Sequence, residues 1–331
     1  MTDHATGAPG GARAGGGREG GGRTGSGRKR AAARGGKPSA GKQNTGKQST
    51  GKQSAGKQNT GRQNTGQPNS RAGSQGSTKG TGDGAARGAG GGEIDEDAAL
   101  LLLAQGELEI EGRLVVASNA TLYCTVRLDG AEAACVYKPV AGERPLWDFP
   151  SGTLSGREVA AYAVSKAAGW NIVPPTVLRD GPFGPGMCQL WIDCDPDEDI
   201  IALARRDDHD GLRDMAVFDA VVNNADRKIG HLLPTPGGRL YGCDHGVTFA
   251  EEYKLRTVLW QWRGDPLPQR ATEALRRLEA ALDHEPLVTE LSGRLDEDEV
   301  TATRHRVELL LKHRVHPYPP DGWPAVPWPP V

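Results

Sequence analysis

Four ionisable residues of this 331-residue chain have types and spacings that suit chemistry on phosphate groups. Lys138 ends a predicted strand, where a buried ammonium needs an anionic partner, and Glu158 lies in the first turn of the next predicted helix, where it could be that partner. Asp226 and Asp244 lie on predicted loops, one after a helix and one after a strand. Carboxylates in such places suit a group that orients a hydroxyl and a ligand that holds Mg²⁺ between phosphates.

Three strands must position Lys138. Alternation of apolar and polar residues predicts them over residues 107–114, 121–128 and 133–138. The pair Asp129-Gly130, between the second and third strands, is a hairpin-turn signal, so these two strands are expected to be antiparallel neighbours. We therefore predict a small antiparallel sheet at the start of the folded region.

Helical periodicity predicts most of the elements that carry the other candidate residues. The predicted helices cover residues 93–105, 155–168, 212–222, 268–283 and 296–313, and two further strands cover residues 187–192 and 240–243. A sheet, one helix, a linking strand and then a mostly helical half predict an α+β fold with two lobes. The N-lobe is the small antiparallel sheet, and the C-lobe is mainly helical.

The composition changes sharply near residue 93. Residues 1–92 hold 28 of the 47 Gly and 16 Lys and Arg against 3 Asp and Glu, whereas the remainder carries a net charge of −15 within a total of −2. The first 92 residues contain no Trp, Phe, Tyr, Ile or Leu and cannot build a hydrophobic core. The remaining residues are numerous enough to bury a sizeable one.

Residues 41–65 contain five copies of a Gly-basic-Gln-polar-small pentapeptide that begins as GKQNT. The unit has no apolar residue to bury between repeats, so we expect residues 1–92 to form a disordered, basic, Gly-rich tail. Two roles stay open for it: weak, non-specific and salt-dependent contact with an anionic polymer or surface, or a solvated linker. The lack of aromatic residues argues against stacking on nucleic-acid bases.

The five cysteines form no CxxC pair, and an odd, scattered set argues against a disulfide framework or a structural zinc site. Reduced thiols are typical of a cytoplasmic protein. No apolar run approaches the roughly 20 residues of a transmembrane helix. The N-terminus also lacks the apolar region of a secretory signal. We therefore expect a cytoplasmic protein without a transmembrane segment.

The candidate residues belong to four short motifs, YKP, GREVAAY, NNADRKIGH and DHG. Together these motifs resemble phosphatidylinositol 3-/4-kinases and are most similar to type II phosphatidylinositol 4-kinases and HipA-like kinases. The longer runs YKPVAGERPLWDFPSGTLSGREVAAY and AVFDAVVNNADRK resemble a phosphatidylinositol 3-/4-kinase-like family of actinobacteria. The resemblance covers about residues 98–285 and implies a two-lobed, protein-kinase-like fold.

The resemblance also implies a role for each matching residue. Lys138 would contact the α- and β-phosphates of ATP, and Glu158 would pair with Lys138. Asp226 would be the catalytic Asp, followed by Arg227 in the same catalytic motif. Asp244, which ends the next strand, would bind the metal, Mg²⁺ or Mn²⁺.

The remaining ATP contacts would come from a turn and a linker. The turn that covers the phosphates would contain Ser118, Asn119 and Thr121. The linker against the adenine would run over residues 189–192, with contacts from Gln189, Trp191 and Ile192.

One position departs from the resembled pattern. The fifth residue after the catalytic Asp is a metal-binding Asn in those kinases, and here it is His231. Imidazole is a poorer ligand than an amide oxygen for Mg²⁺, which prefers oxygen donors. His231 with Asp244 could hold a second ion if that ion were Mn²⁺, or the site could use one ion, so full catalytic competence stays open.

The favoured function is an ATP- and divalent-metal-dependent phosphotransferase, a kinase-like enzyme acting on an unidentified hydroxyl acceptor in a protein, a small metabolite or a lipid. Two alternatives stay open: a nucleotide-binding regulatory protein without transfer activity, and a scaffold whose tail binds anions. Residues 93–331 are acidic and have no evident membrane-docking face, which counts against an inositol lipid as acceptor.

Four regions are therefore predicted. Residues 1–92 form the tail, residues 93–192 the nucleotide-binding N-lobe and residues 193–316 the catalytic C-lobe. Residues 317–331, of which seven are Pro, form an extended and mobile end.

Overall fold

The computed structural model describes residues 86–87, 93–114 and 119–331. The predicted disordered tail lies outside the described residues, except for the two residues of a first short strand. The candidate phosphate-binding residue Ser118 also lies outside them.

A five-stranded antiparallel sheet builds the N-lobe, and Lys138 lies on its central strand. In chain order the strands are β1 (Ala86–Arg87), β2 (Glu93–Ile94), β3 (Glu107–Arg113), β4 (Leu122–Leu128), β5 (Ala131–Pro139), β6 (Thr176–Gly181), β7 (Gly184–Leu190), β8 (Leu232–Pro234) and β9 (Leu240–Gly242). The large sheet has the order β3-β4-β5-β7-β6, whereas β1 pairs with β2 and β8 with β9. Strands on both sides of β5 therefore fix the position of Lys138.

The predicted hairpin between β4 and β5 is confirmed. Asp129 and Gly130 have φ values of 50° and 84°, as the tight turn of a two-residue hairpin requires. The register pairs Leu122 with Tyr137. The turn that precedes Leu122 therefore lies at the same end of the sheet as Lys138.

The sequence analysis missed the edge strand β6. It follows Pro174-Pro175 and lies beside β7, with most of its residues partly or fully exposed. A half-exposed edge strand after prolines gives a weak apolar signal. The buried strand β7 gives a strong one and was predicted as residues 187–192.

The helices are α1 (Glu96–Gln105), α2 (Leu154–Ala168), α3 (Ile200–Leu203), α4 (Asp210–Val221), α5 (Gln269–Ala281), α6 (Leu287–Ser292) and α7 (Glu297–His313). All five predicted helices are present with slightly shifted ends, and the short helices α3 and α6 were not predicted. Gly169 ends α2 with φ of 75°, the left-handed conformation that favours Gly after a helix. Among the described residues no helix is long and apolar enough to cross a bilayer.

Two hydrophobic cores underlie the two lobes. In the N-lobe, α1 contributes Ala99, Leu102 and Leu103 to a core shared with the large sheet. In the C-lobe, helices α4, α5, α6 and α7 pack around a larger core to which α2 also contributes. The predicted two-lobed α+β arrangement is confirmed. The residue boundaries of the lobes stay a prediction, because α2 packs against β6 and β7 as well as against α5 and α6.

The Pro-rich segment 317–331, here called the C-terminal strap, runs along the C-lobe. Its backbone carbonyl oxygens accept hydrogen bonds from the lobe: that of Pro330 from the backbone N–H of Ile229 at 2.8 Å, and that of Ala325 from the backbone N–H of Thr257 at 3.1 Å. The indole of Trp323 stacks on that of Trp147 with ring centroids 5.7 Å apart. The composition predicted an extended, mobile end; the segment contains turns and bends at residues 321–323, 325–326 and 328–329 and makes these contacts with the C-lobe.

His316, just before the strap, is buried and uncharged at neutral pH. Its Nε2 accepts a hydrogen bond from Nε of Arg213 at 3.3 Å, and burial lowers its pKa to about 4. Burial lowers the pKa of His231 to about 4 and that of His245 well below its ordinary value. Each of these histidines therefore binds a proton more readily in the unfolded chain than in the folded one.

We predict that the free energy of unfolding falls as the pH drops from about 6.5 to about 4. In this range His316 binds a proton in the unfolded chain but not in the folded one. Each such histidine contributes about 1.4 kcal/mol per pH unit in this window. Urea unfolding at several pH values gives the slope of the free energy of unfolding against pH. This slope should be shallower for His316→Gln, whose amide oxygen can still accept the hydrogen bond from Arg213. The exposed His305 supplies the control His305→Gln, which should keep the wild-type slope. Equal slopes in all three proteins would contradict the assignment.

Candidate functional site

Lys138 joins two carboxylates from opposite sides of the lobe junction. Its Nζ lies 2.7 Å from Oε1 of Glu158 on α2, and it also contacts Oδ1 of Asp244 just after β9. Glu158 is almost fully buried and Lys138 is mostly buried, whereas 46% of the Asp244 side chain is exposed. The predicted pairing of Lys138 with Glu158 is therefore present, and Asp244 gives the cluster an open side.

The charges of Lys138 and Asp244 shift one another's pKa strongly. Burial alone would lower the pKa of Lys138, but the carboxylates of Asp244 and Glu158 outweigh it and raise that pKa above its ordinary value. The ammonium of Lys138 in turn holds the pKa of Asp244 well below its usual range. Lys138 and Asp244 are therefore charged at neutral pH, which suits a site for an anionic ligand with a cation.

The start of α2 sets the position of Glu158. The carboxylate of Glu143 accepts hydrogen bonds from the backbone N–H groups of Leu154 and Ser155 at 3.2 and 2.8 Å. These N–H groups have no partner within the helix, so a carboxylate there fixes where the helix begins. Glu158 follows one turn later and faces Lys138.

Glu158 also connects the N-lobe cation to the loop after β9. Its second oxygen, Oε2, accepts a hydrogen bond from the backbone N–H of His245 at 2.8 Å. Asp244 itself has a φ of 58°, a left-handed conformation that costs energy for a residue other than Gly. The contact with Glu158 helps to hold this bend, which keeps the Asp244 carboxylate beside Lys138.

Asp226 lies on the loop that follows α4 (residues 223–231), here called the catalytic loop after the role that the sequence predicts for Asp226. Asn224 fixes its backbone, because Oδ1 of Asn224 accepts a hydrogen bond from the N–H of Asp226 at 2.9 Å. The carboxylate of Asp226 is about one-third exposed and lies 3.0 Å from Nζ of Lys228. Burial raises the pKa of Asp226, and Lys228 opposes that rise. A partly exposed carboxylate of raised pKa suits a group that accepts a hydrogen bond from a hydroxyl.

The structure corrects the catalytic assignment of Arg227. Its guanidinium is completely buried and binds the buried carboxylate of Asp219 on α4 through Nη2 at 2.9 Å and Nε at 3.0 Å. Its Nη1 donates to the carbonyl of Cys243 at 3.0 Å. Arg227 therefore cannot reach a substrate. It fixes the catalytic loop to α4 and to the residue that precedes Asp244.

The structure places His231 beside Asp244. Nε2 of His231 lies 3.4 Å from Oδ2 of Asp244. Nδ1 accepts a hydrogen bond from the backbone N–H of Lys228 at 3.5 Å. The imidazole is mostly buried and has a pKa of about 4, so it is neutral at pH 7.

Of the predicted phosphate-covering residues, Asn119 and Thr121 hold the turn itself. Oδ1 of Asn119 accepts a hydrogen bond from the backbone N–H of Arg144 at 2.9 Å. The N–H of Ala120 donates to the carbonyl of Gly142 at 3.1 Å, and a Cβ on Gly142 would lie only 2.4 Å from that of Ala120. Thr121 is buried. These side chains therefore shape the turn.

The predicted adenine linker follows β7 between the two lobes. Nε2 of Gln189 donates to Oγ1 of Thr176 at 2.8 Å, so this side chain ties β7 to β6. The indole of Trp191 packs edge-on against Tyr123 with ring centroids 5.0 Å apart, and Ile192 is buried. Trp191 and Ile192 thus form apolar surface between the lobes, whereas Gln189 has a structural partner.

Sequence reasoning missed Lys228, which contacts Asp226. The sequence alone carried no signal for this contact, because the outward direction of Lys228 follows only once the burial of Arg227 is known. It also missed Asp219, whose buried carboxylate accepts from Asn224 Nδ2 at 2.9 Å as well as from Arg227. An Asp on the last turn of an apolar helix is the only sequence sign of that role.

Asp244 fits a divalent ion. Its carboxylate oxygens are hard donors on the open side of the cluster. Within the described part of the chain, no group of three or more His, Cys, Asp or Glu residues could hold a metal by itself. A metal here would therefore take most of its ligands from phosphate and water oxygens, as Mg²⁺ commonly does at nucleotide sites.

We predict that Asp219→Asn lowers the free energy of unfolding by about 3–5 kcal/mol, because it leaves the buried guanidinium of Arg227 without a counter-charge. Urea unfolding monitored by tryptophan fluorescence measures the change. The matched control is Asp214→Asn, whose partner Arg270 is 38% exposed. That loss should be at most about 1 kcal/mol. Losses of similar size in both variants would contradict a special role for the buried pair.

Several solved structures resemble the chain in fold. They include the Golgi casein kinase with Mn/ADP bound, hydra Fam20 with sugar and the Helicobacter pylori proinflammatory kinase CtkA, with identities of 13%, 14% and 12% and TM-scores of 0.45, 0.45 and 0.37. The matches cover 66%, 66% and 64% of this chain and 75%, 87% and 94% of those chains. The likeness concerns the backbone fold and carries nothing about activity.

No protein-family model matches the chain. The chain is 45% identical over 262 residues to Protein Rv2133c of Mycobacterium tuberculosis (strain ATCC 25618 / H37Rv), a match that covers 69% of this chain and 94% of the relative. An identity of this size over nearly the whole relative means common descent and a common fold. The protein therefore belongs to the same family as Protein Rv2133c.

Proposed function

We propose that this protein is an ATP- and divalent-metal-dependent phosphotransferase with a hydroxyl acceptor. The observation that carries the proposal is the cluster of Lys138, Glu158 and Asp244, which three separate elements bring into direct contact. Asp226 lies on the same catalytic loop as His231, which is 3.4 Å from Asp244. In this proposal a cation, a metal-binding carboxylate and a hydroxyl-orienting carboxylate belong to one site, and the charge of Asp244 acts on Asp226.

The nucleotide end of the site consists of Lys138 and Asp244. When the phosphates of ATP arrive, the ammonium of Lys138 turns from Asp244 to the α- and β-phosphates while Glu158 continues to hold it. A divalent ion on Asp244 supplies positive charge that neutralises the phosphates. The turn over residues 119–121 covers the phosphates, and the apolar surface of Trp191 and Ile192 contacts the adenine.

The acceptor end of the site consists of Asp226 and Lys228. The carboxylate of Asp226 accepts a hydrogen bond from the acceptor hydroxyl and aims its oxygen at the γ-phosphorus. A bond forms between that oxygen and phosphorus, the bond from phosphorus to the β–γ bridging oxygen breaks, and ADP leaves with the bonding electron pair. The hydroxyl proton passes to Asp226 and then to solvent. Lys228, 3.0 Å from Asp226, offers positive charge to the phosphoryl group in transit.

The acceptor class stays open among proteins, small metabolites and lipids. The resemblance to phosphatidylinositol kinases rests on short motifs, and the net charge of −15 on residues 93–331 disfavours an anionic lipid surface. A protein or small-metabolite hydroxyl is therefore the favoured acceptor, and a cytoplasmic location stays a prediction.

We predict that the full chain transfers label from γ-labelled ATP, with Mg²⁺ or Mn²⁺, to an acceptor in cell lysate or in extracted lipids. Asp226→Asn keeps the shape of the side chain but removes its charge, so the transfer rate should fall roughly 10²–10⁴-fold. Nucleotide binding, measured as the shift in melting temperature with ADP and metal, should persist in this variant. Partition of the label among lipid, protein and soluble fractions would identify the acceptor class.

Matched lysine and aspartate variants control for general damage. Lys138→Met should lose the nucleotide-induced shift, whereas Lys166→Met, at an exposed lysine on α2, should keep it. Asp208→Asn, at an exposed aspartate, should transfer label at the wild-type rate. A wild-type chain that binds nucleotide through Lys138 but transfers no label would be a regulatory nucleotide-binding protein. A shift that survives Lys138→Met would refute the site.

A further inference from the structure

The ring contacts of His231 indicate a role different from metal ligation. We propose that His231 donates a hydrogen bond from Nε2 to Asp244 and so positions that carboxylate, and that the site binds a single divalent ion with each nucleotide. The inference rests on the proposed function, since it concerns the metal of the same site. It replaces the sequence-based expectation that His231 is itself a metal ligand.

The hydrogen bond at Nδ1 of His231 indicates which ring nitrogen carries the proton. Nδ1 of His231 accepts a hydrogen bond from the backbone N–H of Lys228 at 3.5 Å. A neutral imidazole has one N–H and one unprotonated nitrogen. Because Nδ1 is the acceptor, the proton lies on Nε2, which then has no lone pair for a metal. A histidine ligand has the opposite arrangement, with its second nitrogen donating to a carbonyl or a carboxylate.

Nε2 of His231 faces the carboxylate of Asp244. It lies 3.4 Å from Oδ2 of Asp244, while Oδ1 of Asp244 contacts Lys138. Catalytic hydrogen bonds are often somewhat long until a substrate binds and then shorten. When Lys138 turns to the phosphates, the Nε2–H of His231 stays as the donor that orients Asp244.

Hydrogen bonds hold the backbone of His231 close to that of Cys243, which precedes Asp244. The backbone N–H of Cys243 donates to the carbonyl of His231 at 3.0 Å. Nη1 of Arg227 lies within hydrogen-bond distance of both carbonyls, at 3.4 Å from that of His231 and 3.0 Å from that of Cys243. The buried guanidinium therefore fixes the backbone of His231 to the residue before Asp244. The backbones that carry the ring and the carboxylate are therefore held close together.

In this tautomer, His231 gives a second metal ion no ligand atom. An Asn at this position would offer an amide oxygen to a second ion, whereas His231 in this tautomer offers only an N–H. Asp244 remains as the carboxylate donor, and the described residues contain no larger ligand group. One carboxylate together with phosphate and water oxygens suits one ion.

The decisive measurement is the tautomer of His231 in the full chain. Long-range proton–nitrogen NMR of the protein labelled with ¹⁵N in histidine distinguishes a protonated from an unprotonated ring nitrogen. The resonances of His231 are those that disappear in His231→Asn. We expect a protonated Nε2 and a bare Nδ1, both without and with Mg²⁺ and ADP. A proton on Nδ1, or loss of the Nε2 proton when Mg²⁺ and ADP are added, would overturn the proposal.

Counting bound ions provides a second test. Titration of Mn²⁺ with saturating ADP, followed by the paramagnetic resonance of free Mn²⁺, should give one ion per chain. His231→Phe cannot donate, so its Mn²⁺ affinity should fall roughly 10–100-fold, whereas His231→Gln keeps a donor and should retain most of it. His305→Phe, at an exposed histidine of α7, is the control and should bind as the wild type does.

These outcomes separate the inference from the proposed function. Two Mn²⁺ ions per chain would overturn the single-ion site while leaving phosphotransfer intact. Equal affinity in His231→Phe and the wild type would overturn the positioning role. Failure of the wild type to bind Mn²⁺ and ADP at all would refute the proposed function and the single-ion site together, and the NMR spectrum would still decide the tautomer of His231.

Discussion

The ion pairs of Lys138 are the constraint on which the arrangement of the site depends. An ammonium buried at the end of a central strand is costly unless carboxylates surround it. One carboxylate comes from α2 and the other from the loop after β9, so the cation is satisfied only when sheet, helix and loop meet at one place. Glu158 strengthens this dependence because its second oxygen holds the backbone of His245. The ion pairs of Lys138 therefore constrain how the sheet, the helix and the loop are placed relative to one another.

The catalytic loop holds its shape and also exposes charged side chains to solvent. Its residues alternate in direction: Arg227 points inwards to Asp219, and the residues on either side of it point outwards and contact each other. The inward contact is a fully buried, multiply hydrogen-bonded pair, the kind of ion pair whose loss of one partner is most destabilising. The outward contact is exposed enough to exchange partners with a ligand. One short segment thus combines a rigid anchor with a reactive surface.

The sequence predicts the features that have local signals. The hairpin follows from Asp129-Gly130, and the pairing of Lys138 with Glu158 follows from a lysine at a strand end and a glutamate at a helix start. Features that depend on distant partners were not predictable in the same way. The motif containing Arg227 suggested a catalytic arginine, because nothing in the sequence shows that Asp219 is buried opposite it. The outward direction of Lys228 follows only once that burial is known.

The C-terminal strap illustrates how composition describes a conformation but not its partner. Proline predicted an extended chain, and the docking of that chain on the C-lobe depends on the N–H groups of Ile229 and Thr257. Four of residues 324–330 are proline and have no N–H of their own. The strap thus satisfies the edge of the catalytic loop with carbonyl oxygens and presents few donors on its other side. Exposed strand edges with free donors are templates for aggregation, and proline is one of the residues that blocks them. The strap therefore also occupies the N–H groups of Ile229 and Thr257, which would otherwise be free to pair with another chain.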